Sequence, residues 1–282
     1  MKLILSLSLS VFTVISYSQD NVRNISTHFG FENAIEINLS QNAFSPNWTN
    51  GGTNSLSVLL NMNTILKYEN KYIISVLNSK FGLGFNNTDK FRKNVDYIEM
   101  QYSTDLKRSK STNLYFKTSL RSQFLKGYNV NNDTSHYTSS FFNPAYVESS
   151  VGVCYKSNYL VRFSPLSSKI TILRDASLYH YFPENYGVTN GKYTLLEIGV
   201  NLSALYMTKI FKVCSLELEF NSFASYVPKF KPVDFQLDFT FTAAIHKYFN
   251  TNVKLKLVND QDVDNSIQYF SSISFAVIYN FK

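Results

Sequence analysis

From about residue 34 to the end of the chain, apolar and polar side chains alternate almost one for one. The stretch VDFQLDFTFTAAI, residues 233–245, is the clearest example. Val233, Phe235, Leu237, Phe239, Phe241, Ala243 and Ile245 fall on one parity. Asp234, Gln236, Asp238, Thr240, Thr242 and Ala244 fall on the other. A period of two is the signature of a β-strand with one apolar and one polar face. The same pattern predicts twelve strands, over 34–43, 54–67, 71–83, 93–104, 113–125, 145–156, 159–173, 192–205, 212–226, 232–247, 251–259 and 267–281. In the second, Leu56, Val58, Leu60, Met62 and Leu66 oppose Ser55, Ser57, Asn61, Asn63 and Lys67. The third is ambiguous in phase. The seventh changes phase around Pro165, which predicts a β-bulge there.

Strand length separates two all-β architectures. Strands of soluble proteins are mostly about 5–6 residues long, whereas a tilted strand needs roughly 9–11 to cross a bilayer. Nearly all twelve are long enough to cross, and an even number suits a single-chain membrane barrel. The expected connections also fall into two sets. One set comprises 44–53, 84–92, 126–144, 174–191, 227–231 and 260–266; the other comprises 68–70, 105–112, 157–158, 206–211 and 248–250. Long outer loops and short periplasmic turns are the usual asymmetry of outer-membrane barrels. The fold expected is therefore an all-β, transmembrane, antiparallel up-and-down β-barrel of 12 strands. A secreted soluble β-sandwich that binds a ligand is the remote alternative.

The N-terminus supports export. MKLILSLSLSVFTVISYSQD places Lys2 before an apolar run from Leu3 to Ile15, followed by Ser16 and Ser18 around Tyr17. These are the three regions of a secretory signal peptide, with cleavage expected between Ser18 and Gln19. The expected division is a signal peptide at 1–18, a short periplasmic segment at 19–33 and the barrel at 34–282. No later stretch approaches the roughly 18 apolar residues of a membrane helix.

Composition adds one point. The chain holds 20 Tyr and 24 Phe in 282 residues, which suits aromatic girdles at membrane interfaces. The final strand concentrates them: Ile267, Tyr269, Ile273, Phe275, Val277, Tyr279 and Phe281 share one face. The net charge of +7 is spread along the chain, unlike the one-sided basic patch of a nucleic-acid binder. The small basic knots at 89–93 and 106–110 read as solvated turns or as contacts with lipid phosphates. Cys154 has the polar parity and Cys214 the apolar parity, so both are expected to be free thiols.

Several short segments carry a resemblance. NWTNGGTNSLS (47–57) is similar to the W-x-x-G-G-x-N-S opening motif of a Bacteroidetes family of uncharacterised outer-membrane barrel proteins. DYIE (96–99), QFLKGY (123–128), FFNPAYVE (141–148), FSPLSSKITIL (163–173), EIGV (197–200) and VDFQLD (233–238) follow in order. Where that family carries an acidic run near the exit of the eleventh strand, this chain has only NDQD (259–262). The resemblance implies an outer-membrane β-barrel and no particular substrate or catalytic residue.

Little in the sequence points to a reaction. His28, His136, His180 and His246 are scattered without metal-ligand spacing. His246 has inward parity, which excludes it from a lipid-hydrolysing Ser–His pair on the outer face. Asp234 and Asp238 share a face, as do Glu217 and Glu219 on the preceding strand. Such carboxylates can serve acid–base chemistry or lie in a lumen network, with Lys117 and Arg121 as the expected basic partners. The residues expected to line the lumen are Lys117, Arg121, Glu197, Glu217, Glu219, Asp234 and Asp238. Trp48 is expected to anchor at the interface or to stack on a sugar. The expectation is a non-enzymatic protein of the cell outer membrane, without cofactor. Its expected partners are outer-membrane lipid, lipopolysaccharide and the barrel-assembly machinery, and no nucleic acid. Two functions remain open: a channel or transporter for small solutes, and a structural or assembly component whose loops bind a protein partner.

Overall fold

The structure is a computed structural model that describes residues 27–45, 55–87, 91–131, 134–179, 184–228, 232–259 and 266–281. The expected signal peptide and Trp48 lie outside the described residues. In chain order the strands are β1 (His28–Phe44), β2 (Ser55–Glu69), β3 (Ile73–Asn87), β4 (Phe91–Lys107) and β5 (Thr112–Ser122). Next come β6 (Gly127–Asn131), β7 (Thr134–Ser139), β8 (Ala145–Lys156) and β9 (Tyr159–Ile172). The rest are β10 (Glu184–Asn185), β11 (Val188–Thr189), β12 (Thr194–Phe211), β13 (Cys214–Val227), β14 (Asp234–His246), β15 (Phe249–Asn259) and β16 (Gln268–Phe281). A short 3-10 turn spans Ala176–Tyr179.

Twelve of these strands close a ring in the order β1-β2-β3-β4-β5-β8-β9-β12-β13-β14-β15-β16, with β16 paired back onto β1. Each neighbouring pair is antiparallel, and each strand follows its neighbour in sequence apart from two small hairpins, β6–β7 and β10–β11, which lie outside the ring. At one end the turns span two to four residues; at the other the connections include 123–144 and 173–193. The up-and-down barrel read from the sequence is the observed fold.

The two faces of the sheet decide between barrel and sandwich. Ile37 and Leu39 on β1, and Ile273 and Phe275 on β16, point outward and are about half exposed. Asn38, Ser40, Ser272 and Ser274, on the opposite parity, are buried inside. A soluble sandwich would show the reverse, with its aliphatic residues in a core. An apolar outside over a polar inside is the arrangement of a barrel that faces lipid.

Several strands run longer than their alternation suggests. β1 starts at His28, within the segment expected to precede the barrel, because its backbone pairs with β2 as far as Glu69. β4 continues to Lys107 through a charged stretch that reads as a turn. There the Lys107 ammonium sits 2.8 Å from Glu69. β12 continues to Phe211, and a register shift between Lys209 and Phe211 absorbs the break in its pattern. The phase of β3 was ambiguous because Ile74 and Val76 point inward while Ser75 points outward, where its hydroxyl lies 3.0 Å from that of Thr104.

The bulge expected at Pro165 is present. β9 shifts register against both neighbours, between Val151 and Val153 on β8 and between Gly199 and Asn201 on β12. Arg162 and Ser164 point inward before it; Ser167, Lys169 and Thr171 point inward after it. Gly152 makes room beside it, and Gly199 makes room at a separate register shift between β12 and β13. A Cβ on Gly152 would collide with the Phe163 carbonyl, and one on Gly199 with the Ala224 carbonyl. Gly152→Ala is therefore expected to cost about 1–3 kcal/mol, as overpacking does. Gly30→Ala should cost little, since its Cβ would meet nothing nearer than the Lys67 Cβ at 3.5 Å. Urea titration of the folded band in unheated SDS gels measures both; equal midpoints would contradict this account of the bulge.

Candidate functional site

The polar face of the sheet lines the barrel interior, and strand register fixes which charges meet there. Residues opposite one another across a strand pair share a face. Glu219 on β13 stands opposite Asp238 on β14, and Asp238 opposite Lys256 on β15. Two carboxylates face to face repel, and Lys256 compensates at 3.3 Å from Asp238. Lys169 on β9 stands in register between Glu148 on β8 and Glu197 on β12. Its ammonium lies 4.0 Å from Asp234. On the other side, Glu99 on β4 stands between Lys80 on β3 and Arg121 on β5, and Arg121 lies over the Tyr146 ring at 5.1 Å.

All seven residues expected in the lumen have inward parity, but the structure groups them differently from the sequence reading. Lys117 and Arg121 are not the direct partners of the β13 and β14 carboxylates. β5 is separated from β14 by β8, β9, β12 and β13 in the ring, and the β14 carboxylates are met instead by Lys256 on neighbouring β15 and by Lys169 on β9. Lys117 lies within electrostatic reach of Glu148 and Glu99 nearby, and of Glu219 on the far wall. Glu217 likewise feels Lys80 from across the barrel and Lys254 from β15. β3 and β13 are diametrically opposed in the ring. The lumen thus has an acidic stretch on β12–β14, and across from it Lys80, Lys117 and Arg121 alternate with Glu99 and Asp105.

Lys80, Glu99, Glu148, Arg162, Lys169, Lys254 and Lys256 were missed by the sequence reading, although parity could have found them. Lys254 and Lys256 alternate with Val253, Leu255 and Leu257 as plainly as Asp234 does with its neighbours.

Part of the lumen is filled. The Tyr97 ring lies against the bare backbone of Gly82, and its hydroxyl donates to Asn61 Oδ1 at 3.0 Å. Asn61 Nδ2 donates in turn to Glu36 at 3.4 Å, and Asn252 Nδ2 donates to the same carboxylate at 3.3 Å. Tyr115 and Ser164 share a hydroxyl–hydroxyl hydrogen bond. The Arg162 guanidinium sits over Tyr115 at 5.3 Å and 3.7 Å from Asp105. Cys154 is buried on this inner side, and both cysteines are free. Among the described residues no group of three or more His, Cys, Asp or Glu is placed to hold a metal ion.

A second cluster lies at the rim with the long connections. Asp96, whose side chain is 1% exposed, accepts hydrogen bonds from the backbone N–H of Phe124 (2.9 Å) and Leu125 (2.6 Å) and pairs with Lys93 at 3.1 Å. Lys93 Nζ also donates to the Leu125 carbonyl at 2.9 Å. Gln123 Nε2 donates to the Asn143 carbonyl at 2.8 Å. Asn143 Oδ1 accepts from the backbone N–H of Arg174 (2.7 Å) and Asp175 (3.2 Å). Asp175 closes the network by accepting from Tyr137 (2.6 Å), Ser140 (3.2 Å) and Ser177 (2.5 Å). Burial alone would push the Asp175 carboxyl up, but the hydrogen bonds from Ser177, Tyr137 and Ser140 outweigh it and hold the group below its ordinary value. The two long connections are therefore folded together as a cap. Leu173, Leu178 and Val188 form a small core beneath it, with Tyr137, Tyr186 and Leu195 packed around them. The segments DYIE, QFLKGY and FFNPAYVE, far apart in sequence, all meet at this rim.

Over residues 39–128 the chain matches a family described as a protein of unknown function, DUF3078. No curated protein matches it. Among solved structures, it is similar to the translocator domain of the autotransporter NalP from Neisseria meningitidis, with 7% identity, coverage of 99% of this chain and 96% of that one, and a TM-score of 0.43. It is also similar to the NanC porin, with 6% identity, coverage of 86% and 98%, and a TM-score of 0.43. A third is outer membrane phospholipase A from Escherichia coli, with 7% identity, coverage of 92% and 94%, and a TM-score of 0.43.

The rim network makes a direct prediction. Asp96→Ala leaves the Lys93 ammonium and two backbone N–H groups without their carboxylate, and loss of such a buried partner costs about 3–5 kcal/mol. Trypsin is expected to cut after Lys126 faster in this variant, while the barrel still migrates as a folded band in unheated SDS gels. Unchanged cleavage would show that Asp96 does not hold the loop.

Proposed function

We propose that the protein resides in the cell outer membrane, with connections 123–144 and 173–193 outward, and lets small polar or charged solutes cross through a narrow, charge-lined lumen. The observation that carries this reading is the set of inward charges of both signs, several of which remain partly open to solvent. The Asp238 and Lys256 side chains are 25% and 35% exposed although both point inward. Charges that served only to tie the strands together would be more deeply buried and more completely paired. Inward charges of both signs suit small ions and zwitterions better than large ions of a single sign. The reading is non-enzymatic. It takes outer-membrane lipid and the barrel-assembly machinery as the partners of the fold, and the ordered series of motifs as kinship with the Bacteroidetes outer-membrane barrels.

A second reading is a closed barrel that works through its cap. It is favoured by the depth at which small inward residues on β1 and β2 are buried, among them Asn38, Ser40, Asn42 and Ser57. In this case the folded outer connections would bind a protein partner.

Planar-bilayer recording separates the two. The channel reading expects discrete conductance steps. It also expects the double variant Glu219→Gln, Asp238→Asn, which removes two inward negative charges, to displace the reversal potential toward that of the anion. A silent membrane containing correctly folded protein would reject the channel in favour of the closed barrel.

A further inference from the structure

The rim network described above leaves a bowl of about 630 Å³ beside the barrel wall. Phe124, Leu125 and Phe141 line one side, Tyr128 and Tyr137 the other, and Lys126 stands between them. The apolar side is open: Phe124 is 45% exposed and Phe141 55%. Their rings lie 5.6 Å apart, and Phe124 meets Phe81 edge-on at 5.5 Å. Phe81 is on the outward face of β3, in line with Leu83 and Phe85. The bowl therefore runs without a break into the apolar outer face of the barrel. The other side is polar at its edge. Lys126 Nζ sits over the Tyr137 ring at 5.8 Å, and the Asp175 carboxylate below is occupied by Tyr137, Ser140 and Ser177. Lys126 is thus the one cation among the lining residues, and the Asp175 carboxylate is turned to its own hydroxyl partners.

We propose that this bowl holds one outer-leaflet lipid with a phosphorylated sugar headgroup, a site that rests on the membrane placement argued above but not on conduction. An acyl chain lies along Phe141, Phe124 and Phe81, where exposed aromatic surface is covered. The phosphate meets the Lys126 ammonium in a charge-assisted contact. The sugar lies against the Tyr128 face. A water-soluble glycan would explain the tyrosines but not the open path from the phenylalanines to the lipid-facing wall.

Native mass spectrometry of the full mature chain in detergent tests the site, with bisphosphorylated lipid A as the probe. One lipid per barrel should be retained. Lys126→Glu should lower occupancy about tenfold, the loss of one charge-assisted contact. Phe141→Ser should lower it by a similar factor, and migration in unheated SDS gels verifies that each variant is folded. Equal retention by wild type and Lys126→Glu would overturn the proposal. Equal retention of dephosphorylated lipid A would overturn the phosphate contact, and displacement by millimolar inorganic phosphate would show that the ligand is a soluble anion. Lipid retention by a protein that is silent in planar bilayers would leave this site standing while rejecting the channel.

Discussion

The structure depends on the closure of its sheet. β16 pairs with β1 from Asn33 opposite Phe281 to Phe44 opposite Phe270, and that seam satisfies the last two rows of backbone N–H and C=O groups. In a hydrocarbon layer an unpaired row would cost several kcal/mol per group, so no open version of this sheet could carry the same apolar outer face. Closure is what allows Phe239, Ile273 and their outward neighbours to dispense with a protein core. It also makes the interior the place where polar side chains must find partners. The lumen follows from that necessity: carboxylates on β12–β14 stand beside Lys169 and Lys256 and across from Lys80, Lys117 and Arg121. The same ring supplies a firm edge on which the two long connections fold. Asp96 on β4 holds the chain leaving β5, and Asn143 and Asp175 tie that connection to the one after β9.

Closure also sets where the sheet must bend. The bulge at Pro165 shifts β9 against both neighbours, and Gly152 gives up its side chain so that backbone can approach backbone there, while Gly199 does the same where β12 shifts against β13. Tyr97 over Gly82 does the opposite job, filling a gap in the inner face with an aromatic ring. One interior is thus tightly packed in places and partly open in others, as at Asp238 and Lys256.

The sequence made one level of this legible and hid the next. Strict alternation assigns the inward side of Glu217 or Asp234 without any structure, because the pleat has a period of two. The bulge was legible for the same reason, as a change of phase at Pro165. Partners were not legible, because parity does not say which residues of two strands stand level. Register does, and it put Asp238 beside Lys256 rather than beside Lys117 or Arg121. Strand ends were misread where the turn-side halves of β4 and β12 carry charged or irregular residues whose pairing is sustained by the neighbouring strand. The folded cap left almost no pattern: Asp96, Asn143 and Asp175 read as ordinary loop or strand polar residues, and only their convergence in space gives them a shared role.

The central claim is that the apolar face of this sheet meets lipid and the polar face encloses a lumen. Phe239 and Thr240 are neighbours on β14. Phe239 shares its face with Leu218 and Leu255, and Thr240 shares its own with Glu217 and Lys254. A fluorophore placed at each position in turn, in vesicles containing brominated lipid, reads the two faces directly. The account predicts strong quenching at 239 and little at 240. Equal quenching at the two positions, or none at 239, would mean that the phenylalanine face packs against protein and would contradict the membrane barrel.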